Sequence, residues 1–156
     1  MHMEHRSRVR AAVGWLELGL PGDALLELAP LPWRLQVRRP ILELRLAAEM
    51  AHRSWNAASE TARLLCLKDS SEPRFFLNAA FCLHETGDTL AACRWLLRGP
   101  KALVGDAIFH YNLACYLNVL GQHTRARGHL ETAFHLDGKL RDEARDDADL
   151  VGMAEE

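Results

Sequence analysis

Small residues recur along this chain at a fixed interval of 34 residues, and this regularity limits the fold more than any other feature. One column consists of alanines: Ala24, Ala58, Ala92 and Ala126. Five residues before them lie Gly19, Arg53, Gly87 and Gly121, and twelve residues before them lie Ala12, Leu46, Ala80 and Ala114. Four residues after the alanines lie Leu28, Ala62, Leu96 and Leu130. Four columns in one register indicate an internal repeat, since chance could supply one column but hardly four.

Antiparallel helices joined by a tight turn explain this pattern physically. Two helices approach closely only where side chains are small, so small residues recur where the first helix of a unit meets the second. Glycine recurs at the turn because it takes the left-handed backbone conformation without strain. A single helix pair cannot bury its own apolar face, so such units must stack against one another to form a continuous core.

The columns resemble the signature of the tetratricopeptide repeat, a helix-turn-helix unit of about 34 residues. The best match, 107–140, has signature residues at Leu113, Ala114, Leu117, Gly121, Ala126, Leu130 and Ala133. The other units are 5–38, 39–72 and 73–106. The resemblance implies an all-α fold, a right-handed superhelical solenoid of antiparallel helix pairs in a single domain over 1–150.

The pattern predicts helices at 4–18, 22–29, 40–52, 55–68, 73–86, 89–98, 106–120 and 123–136. Pro30 and Pro32 should shorten the second helix, and Gly99-Pro100 should end the sixth and open a longer link. The third helix fits the repeat only if its turn is one residue short, which places Leu46, Ala47 and Met50 on the packing face. A polar cap is expected at 138–150, followed by a frayed tail at 151–156.

Charge and cysteine usage restrict the partners and the compartment. A net charge of -2 gives no general attraction to nucleic acid, although arginines cluster near the start and aspartates near the end. No apolar run reaches the length of a membrane helix, and the N-terminus is too polar for a signal peptide. The four cysteines stand apart in apolar sequence and are interpreted as buried free thiols. These features favour a cytoplasmic protein.

The spacing of histidines and cysteines argues against catalytic, metal and cofactor sites. Cys82 and His84 point to opposite sides of a helix, and the residue four after His84 lies beyond the glycine of the turn. No pair of cysteines has the spacing of zinc ligands, and no glycine-rich loop follows a strand. The cysteines lie inside predicted helices, where packing is the expected role. An enzyme is therefore the least favoured class.

The resemblance implies that the first helices of the units line a concave groove that binds peptides. The expected groove residues are Arg10, Arg45, Arg74, Leu77, Asn78, Phe81, His84, Tyr111, Asn112, Cys115 and Asn118. Asn78 and Asn112 are 34 residues apart, and a side-chain amide can both donate to and accept from the backbone of an extended peptide. Arg10 and Arg45 are expected at the corresponding place in the first two units. The ligand could end in a carboxylate or be an internal extended or helical segment.

The favoured function is an adaptor or chaperone-like module that binds a segment of another protein; small repeat chaperones of bacterial secretion systems have similar length and architecture. Three alternatives stay open. The leucine and aromatic residues could be core, or a C-terminal helix of the same chain could fill the groove. The protein could also be a structural homodimer or larger homo-oligomer, or part of a longer array.

Overall fold

A computed structural model describes residues 3–153, and all regular structure in this range is helical. The α-helices are α1 (Met3–Glu17), α2 (Pro21–Leu28), α3 (Trp33–Gln36), α4 (Arg39–Ala51), α5 (Trp55–Lys68), α6 (Pro73–Glu85), α7 (Thr89–Leu97), α8 (Ala107–Val119), α9 (His123–Leu136) and α10 (Leu140–Arg145). Two short 3₁₀ helices lie at Lys101–Gly105 and Ala148–Leu150. The all-α prediction is confirmed, and the eight predicted helices agree with the structure to within one residue at each end.

Four tight turns join the helices into neighbouring pairs, α1 with α2, α4 with α5, α6 with α7 and α8 with α9. At each turn one residue has positive φ: Gly19 at 73°, Arg53 at 59°, Gly87 at 92° and Gly121 at 78°. The next residue donates its N–H to the carbonyl five residues earlier, as Leu20 does to Trp15 at 2.8 Å and Gln122 to Leu117 at 2.8 Å. These are Schellman caps, which satisfy the last carbonyls of the first helix.

The expectation of a short turn after the third predicted helix is wrong. Helices α1, α4, α6 and α8 end at Glu17, Ala51, Glu85 and Val119, which are 34 residues apart throughout. Arg53 takes the positive φ that glycine takes elsewhere, so the turn keeps its length despite the missing glycine. Ala47 is consequently exposed, whereas Leu46 is buried and Met50 packs against the core.

Two links depart from tight turns because of proline. α2 ends at Leu28, ahead of Pro30 and Pro32, as predicted. Gln36 then holds the link, since its Nε2 donates to the carbonyls of Ala29 at 3.0 Å and Leu31 at 2.6 Å. α7 likewise ends at Leu97, before Gly99-Pro100, and the chain continues into the 3₁₀ helix.

Substitution of Gly99 by alanine is expected to destabilise the protein by about 1–3 kcal/mol. A Cβ atom at Gly99 would collide with the buried side chain of Leu103 and approach the Leu96 carbonyl and Phe76 Cβ at 3.2 Å each. Gly105→Ala is the control, because nothing lies within 4 Å of its Cβ position. Chemical denaturation of both variants measures the difference, and equal stability of the two would contradict this close approach.

The core has two parts that share helix α4. One part joins α1, α2 and α4, where Ile41 and Ala48 belong to it; the other runs from α4 to the C-terminus and includes Leu42 and Leu46. Each helix packs on the next one along the chain. The alanines of the 34-residue columns are fully buried at the helix contacts: Ala12, Ala24, Ala58, Ala80, Ala92, Ala114 and Ala126.

All four cysteines are free and buried, as predicted. Burial raises the pKa of Cys66 and of Cys82 to about 12 in each case, and it raises the pKa of Cys93 as well. A raised pKa keeps the thiol protonated near neutral pH, whereas a nucleophilic cysteine needs a lowered one. These three side chains therefore act as small apolar groups in the core.

A histidine pair joins α8 to α9. Nε2 of buried His110 lies 2.7 Å from the carbonyl of Val104, and its Nδ1 lies 3.0 Å from Nδ1 of His129. Because a carbonyl only accepts, His110 carries its proton on Nε2, and His129 must then donate from Nδ1 when both rings are neutral. Burial, followed by the nearby His110 and Arg125, lowers the pKa of His129.

The lowered pKa predicts that His129 reduces stability in acid. The unfolded chain binds a proton more readily than the folded one, so the contribution is fully present above about pH 6.5 and is lost as the pH falls through the lowered pKa. His129→Gln should therefore flatten the fall in unfolding free energy between neutral and mildly acidic pH. His135→Gln, at an exposed position of the same helix, is the control and should keep the wild-type pH dependence. Equal pH profiles for wild type and His129→Gln would contradict the prediction.

Candidate functional site

Four of the predicted groove residues meet around the C-terminal segment, which we define as residues 147–153. They are His84 of α6 and Tyr111, Cys115 and Asn118 of α8. After α10 the chain turns back, and its 3₁₀ helix Ala148–Leu150 packs on α8. The C-terminal segment thus covers this end of the face that was predicted to bind peptides. The filling element is a short 3₁₀ turn rather than an α-helix.

The first polar contact holds the carboxylate of Asp147. The Tyr111 hydroxyl donates to Asp147 Oδ2 at 2.6 Å, and the Cys115 thiol lies 3.7 Å from the same oxygen. The other oxygen, Oδ1, accepts from the backbone N–H of Asp149 at 3.0 Å and fixes the turn. Burial and then the hydrogen bond to Asp147 raise the pKa of Tyr111, so the phenol stays a donor.

The second contact holds Asp149 through His84. Nε2 of His84 lies 2.8 Å from Asp149 Oδ2, and Nδ1 lies 2.9 Å from the Thr89 hydroxyl. Since a carboxylate only accepts, Nε2 carries the proton, and the Thr89 hydroxyl can donate to Nδ1 of the neutral ring. The His84 ring also packs against Tyr116, with centroids 4.8 Å apart. The imidazole is therefore oriented from three sides toward the C-terminal segment.

The third contact is a grip on the peptide backbone by Asn118. Its Nδ2 donates to the carbonyl of Asp149 at 2.8 Å and approaches that of Val151 at 3.4 Å. Its Oδ1 accepts from Nδ1 of His123 at 2.6 Å, which fixes the orientation of the amide. Sequence reasoning expected such a grip from Asn78 and Asn112, but the structure places it at Asn118.

An apolar anchor completes the attachment. Leu150 is only 2% exposed and belongs to the main core, and Met153 packs against that core. Both side chains line a pocket beside Leu130 and Phe134 of α9. The expected frayed tail is thus wrong for residues 151–153, and residues 154–156 lie outside the described range.

A second group of predicted residues lies on α6, away from the C-terminal segment. Arg74 and Asn78 line a shallow pocket together with residues of α4 and one more of α6: Glu43, Leu46, Ala47, Met50 and Phe75. Leu77 packs partly buried against the core, while Phe81 is 36% exposed and contacts the Trp55 ring edge-on at 5.6 Å. The pocket offers a cation, an amide and apolar side chains.

The structure does not bring the remaining predicted residues into either group. Arg10 is exposed on α1, and Asn112 is half-buried on α8. Arg45 is a correction: the residue 34 before Asn78 is Leu44, because the turn after α4 has full length. Arg45 instead donates to Gln36 Oε1 at 2.6 Å and supports the proline-rich link.

One trio of potential metal ligands lies in this site within residues 3–153. Cys115 Sγ and carboxylate oxygens of Asp147 and Asp149 lie within 4.8 Å of one another. Burial and then the two carboxylates raise the pKa of Cys115, so its thiol is protonated and donates to Asp147. In this structure the trio forms part of the attachment of the C-terminal segment. Sequence spacing missed it because Cys115 and Asp147 are 32 residues apart.

Comparison with known proteins finds no family model that matches the chain and no curated protein with significant similarity. Within the described residues, no helix has both the length and the apolar character needed to cross a membrane. The functional inference therefore depends on the geometry of the face formed by α4, α6 and α8.

Proposed function

We propose that this chain is a protein-binding module of the tetratricopeptide type, whose face on α4, α6 and α8 holds a segment of another protein. The observation that carries the proposal is that side chains of this face already hold a peptide segment, the protein's own residues 147–153. They use a backbone grip, two carboxylate contacts and a buried leucine. The module would act as an adaptor or chaperone-like protein rather than an enzyme.

The helix bounds support the repeat assignment. α4, α6 and α8 have 13 residues each, and their first residues are spaced by 34. Equal helices joined by equal turns rotate each pair by a similar amount relative to the last, and a regular superhelix results. We accordingly propose one right-handed solenoid over 1–150, with α10 and the segment after it as the C-terminal cap.

The pocket beside Asn78 is where a partner segment would extend beyond the C-terminal segment. An amide there can donate to and accept from a peptide backbone, as Asn118 does with the backbone of Asp149. Arg74 would attract acidic side chains, although its 3.7 Å contact with Glu43 already offsets part of its charge. Affinity is expected to be modest, about micromolar, because ordering an extended peptide costs entropy.

Affinity capture from host lysate tests the proposal. Wild type and the Asn78→Ala, Asn112→Ala double variant are compared by mass spectrometry, and we expect one protein to be recovered selectively by wild type. Asn56→Ala, at an exposed position of α5, is the matched control and should retain the partner. Equal recovery by all three proteins would contradict binding on this face, provided that the variants melt at the wild-type temperature.

Self-association is a second candidate because exposed apolar side chains cluster on α5 and α7. Leu64, Leu67 and Trp95 line one surface pocket, and Leu67 is 72% exposed. An exposed apolar patch commonly marks an interface. Light scattering distinguishes this candidate: a dimer that Leu67→Glu converts to a monomer would favour a structural homo-oligomer.

A further inference from the structure

The contacts of the C-terminal segment are those of a bound peptide more than those of a core element. Its two carboxylates and two of its backbone carbonyls meet side chains of α6 and α8, at 2.6 to 3.4 Å for the oxygen–nitrogen and oxygen–oxygen pairs. Only one side chain, that of Leu150, is fully inserted. Asp147 and Asp149 remain partly exposed. Recognition by polar groups around a single apolar anchor resembles the mode by which grooves hold extended ligands.

The sequence of the segment matches what these side chains select. Tyr111 and His84 each donate to a carboxylate, and the two carboxylates are two residues apart in the chain. Leu150 follows the second carboxylate directly and enters the apolar pocket beside Leu130. The Asn118 amide reads only backbone carbonyls, so it adds affinity without adding sequence preference.

The tether gives this segment an advantage over any free peptide. α10 ends at Arg145, one residue before Asp146 and two before the first contact at Asp147. A short tether holds a ligand at an effective concentration of about millimolar or above, so a micromolar partner competes poorly while the segment is attached. Weakening the segment therefore opens the site, because apparent affinity scales with the fraction of molecules in the open form.

We propose that residues 147–153 are a built-in ligand that occupies the binding face in cis and is displaced by a partner segment of the same chemistry. That chemistry is two carboxylates separated by one residue, followed by an aliphatic side chain: Asp-Xaa-Asp-Leu. This inference rests on the proposed function and specifies the partner that the α6–α8 end of the face accepts.

The test uses the full chain and a fluorescein-labelled peptide, Asp-Asp-Ala-Asp-Leu-Val-Gly-Met, which copies residues 146–153. Fluorescence polarisation compares wild type with the Asp147→Asn, Leu150→Ser double variant, whose own segment is weakened while the face is intact. We expect the variant to bind the peptide at least about tenfold more tightly, corresponding to a site that is open in a tenth or less of wild-type molecules. Adding Asn118→Ala, or replacing both spaced aspartates of the peptide by asparagine, should remove this binding.

Three results would overturn the proposal. The first is equal affinity of wild type and double variant, or binding by neither, which would make the segment a fixed cap. The second is equal binding of the asparagine peptide, which would remove the carboxylate selectivity. The third is a wild-type dimer in light scattering that the double variant converts to a monomer, because the segment would then serve a second copy.

Two further measurements keep these outcomes interpretable. If the double variant does not fold, the single variant Asp149→Asn, which removes only the His84 contact, is compared with wild type in the same way and decides by the same criterion. Failure here is also distinct from failure of the proposed function. A partner that depends on Asn78 and Asn112 in the capture experiment would still support a binding face, but with a ligand of other chemistry.

Discussion

Ala58→Phe is expected to lower the free energy of unfolding by about 3 kcal/mol, at the upper end of what overpacking costs. Ala58 lies on α5 with no exposed surface, in the contact with the preceding helix α4. A phenyl ring there forces the two helices apart, because neither can move without disturbing its next neighbour. For a chain of this size the loss corresponds to a fall in the melting temperature of roughly 6–12 °C.

The adjacent residue provides the control for this prediction. Ala57 is exposed on the same helix, so Ala57→Phe adds the same ring and the same change of helix propensity without entering the contact. We expect Ala57→Phe to unfold within about 0.5 kcal/mol of wild type. Calorimetry or denaturant titration of both variants measures the difference. If Ala58→Phe melts with wild type, the close contact of α4 and α5 at this column is wrong.

The helices could be predicted from sequence because their ends are marked by local chemistry. Gly19, Gly87 and Gly121 end helices by left-handed caps, and Pro30 and Pro100 end or follow shortened ones. These signals act within a few residues, so no knowledge of distant packing is needed. The small residues of the columns likewise specify close helix contacts wherever they recur.

The register of α4 was wrong because one marker was missing. The turn after α4 carries Arg53 in place of glycine, and an L-residue at positive φ is disfavoured by about 1–2 kcal/mol. Packing on both sides of α4 overrides this local cost and holds the turn at full length. The displaced prediction then moved Arg45 onto the binding face and Ala47 into the core.

The candidate site was predicted only in part because its contacts join residues far apart in sequence. Nothing local pairs His84 with Asp149 or Tyr111 with Asp147, which are 65 and 36 residues apart. Helix periodicity placed His84, Tyr111, Cys115 and Asn118 on one face. The acidic end of the chain was the available signal for the occupant, but it was interpreted as part of a polar cap.

Phe75→Ala is expected to produce the largest single loss of stability, about 3–5 kcal/mol. The Phe75 side chain is 1% exposed and belongs to the main core, so its removal leaves a cavity. The guanidinium groups of Arg39 and Arg74 lie 5.0 and 5.3 Å from the ring centroid, and they lose a cation–π contact as well. Denaturant unfolding of the purified variant measures the loss, and a cost below about 1 kcal/mol would contradict the core assignment.

Phe81→Ala on the same helix separates folding from binding. Its ring is 36% exposed and contacts only the edge of Trp55 among aromatic rings of the described chain, so truncation should cost about 1 kcal/mol. On the proposed function, however, Phe81 lies between the Asn78 pocket and His84 and contributes apolar area to a partner segment. Phe81→Ala should therefore lose partner capture while it stays folded, whereas Phe75→Ala should lose both in proportion to its unfolded fraction. A Phe81→Ala variant that melts like wild type and captures the partner equally would place the binding surface elsewhere on the molecule.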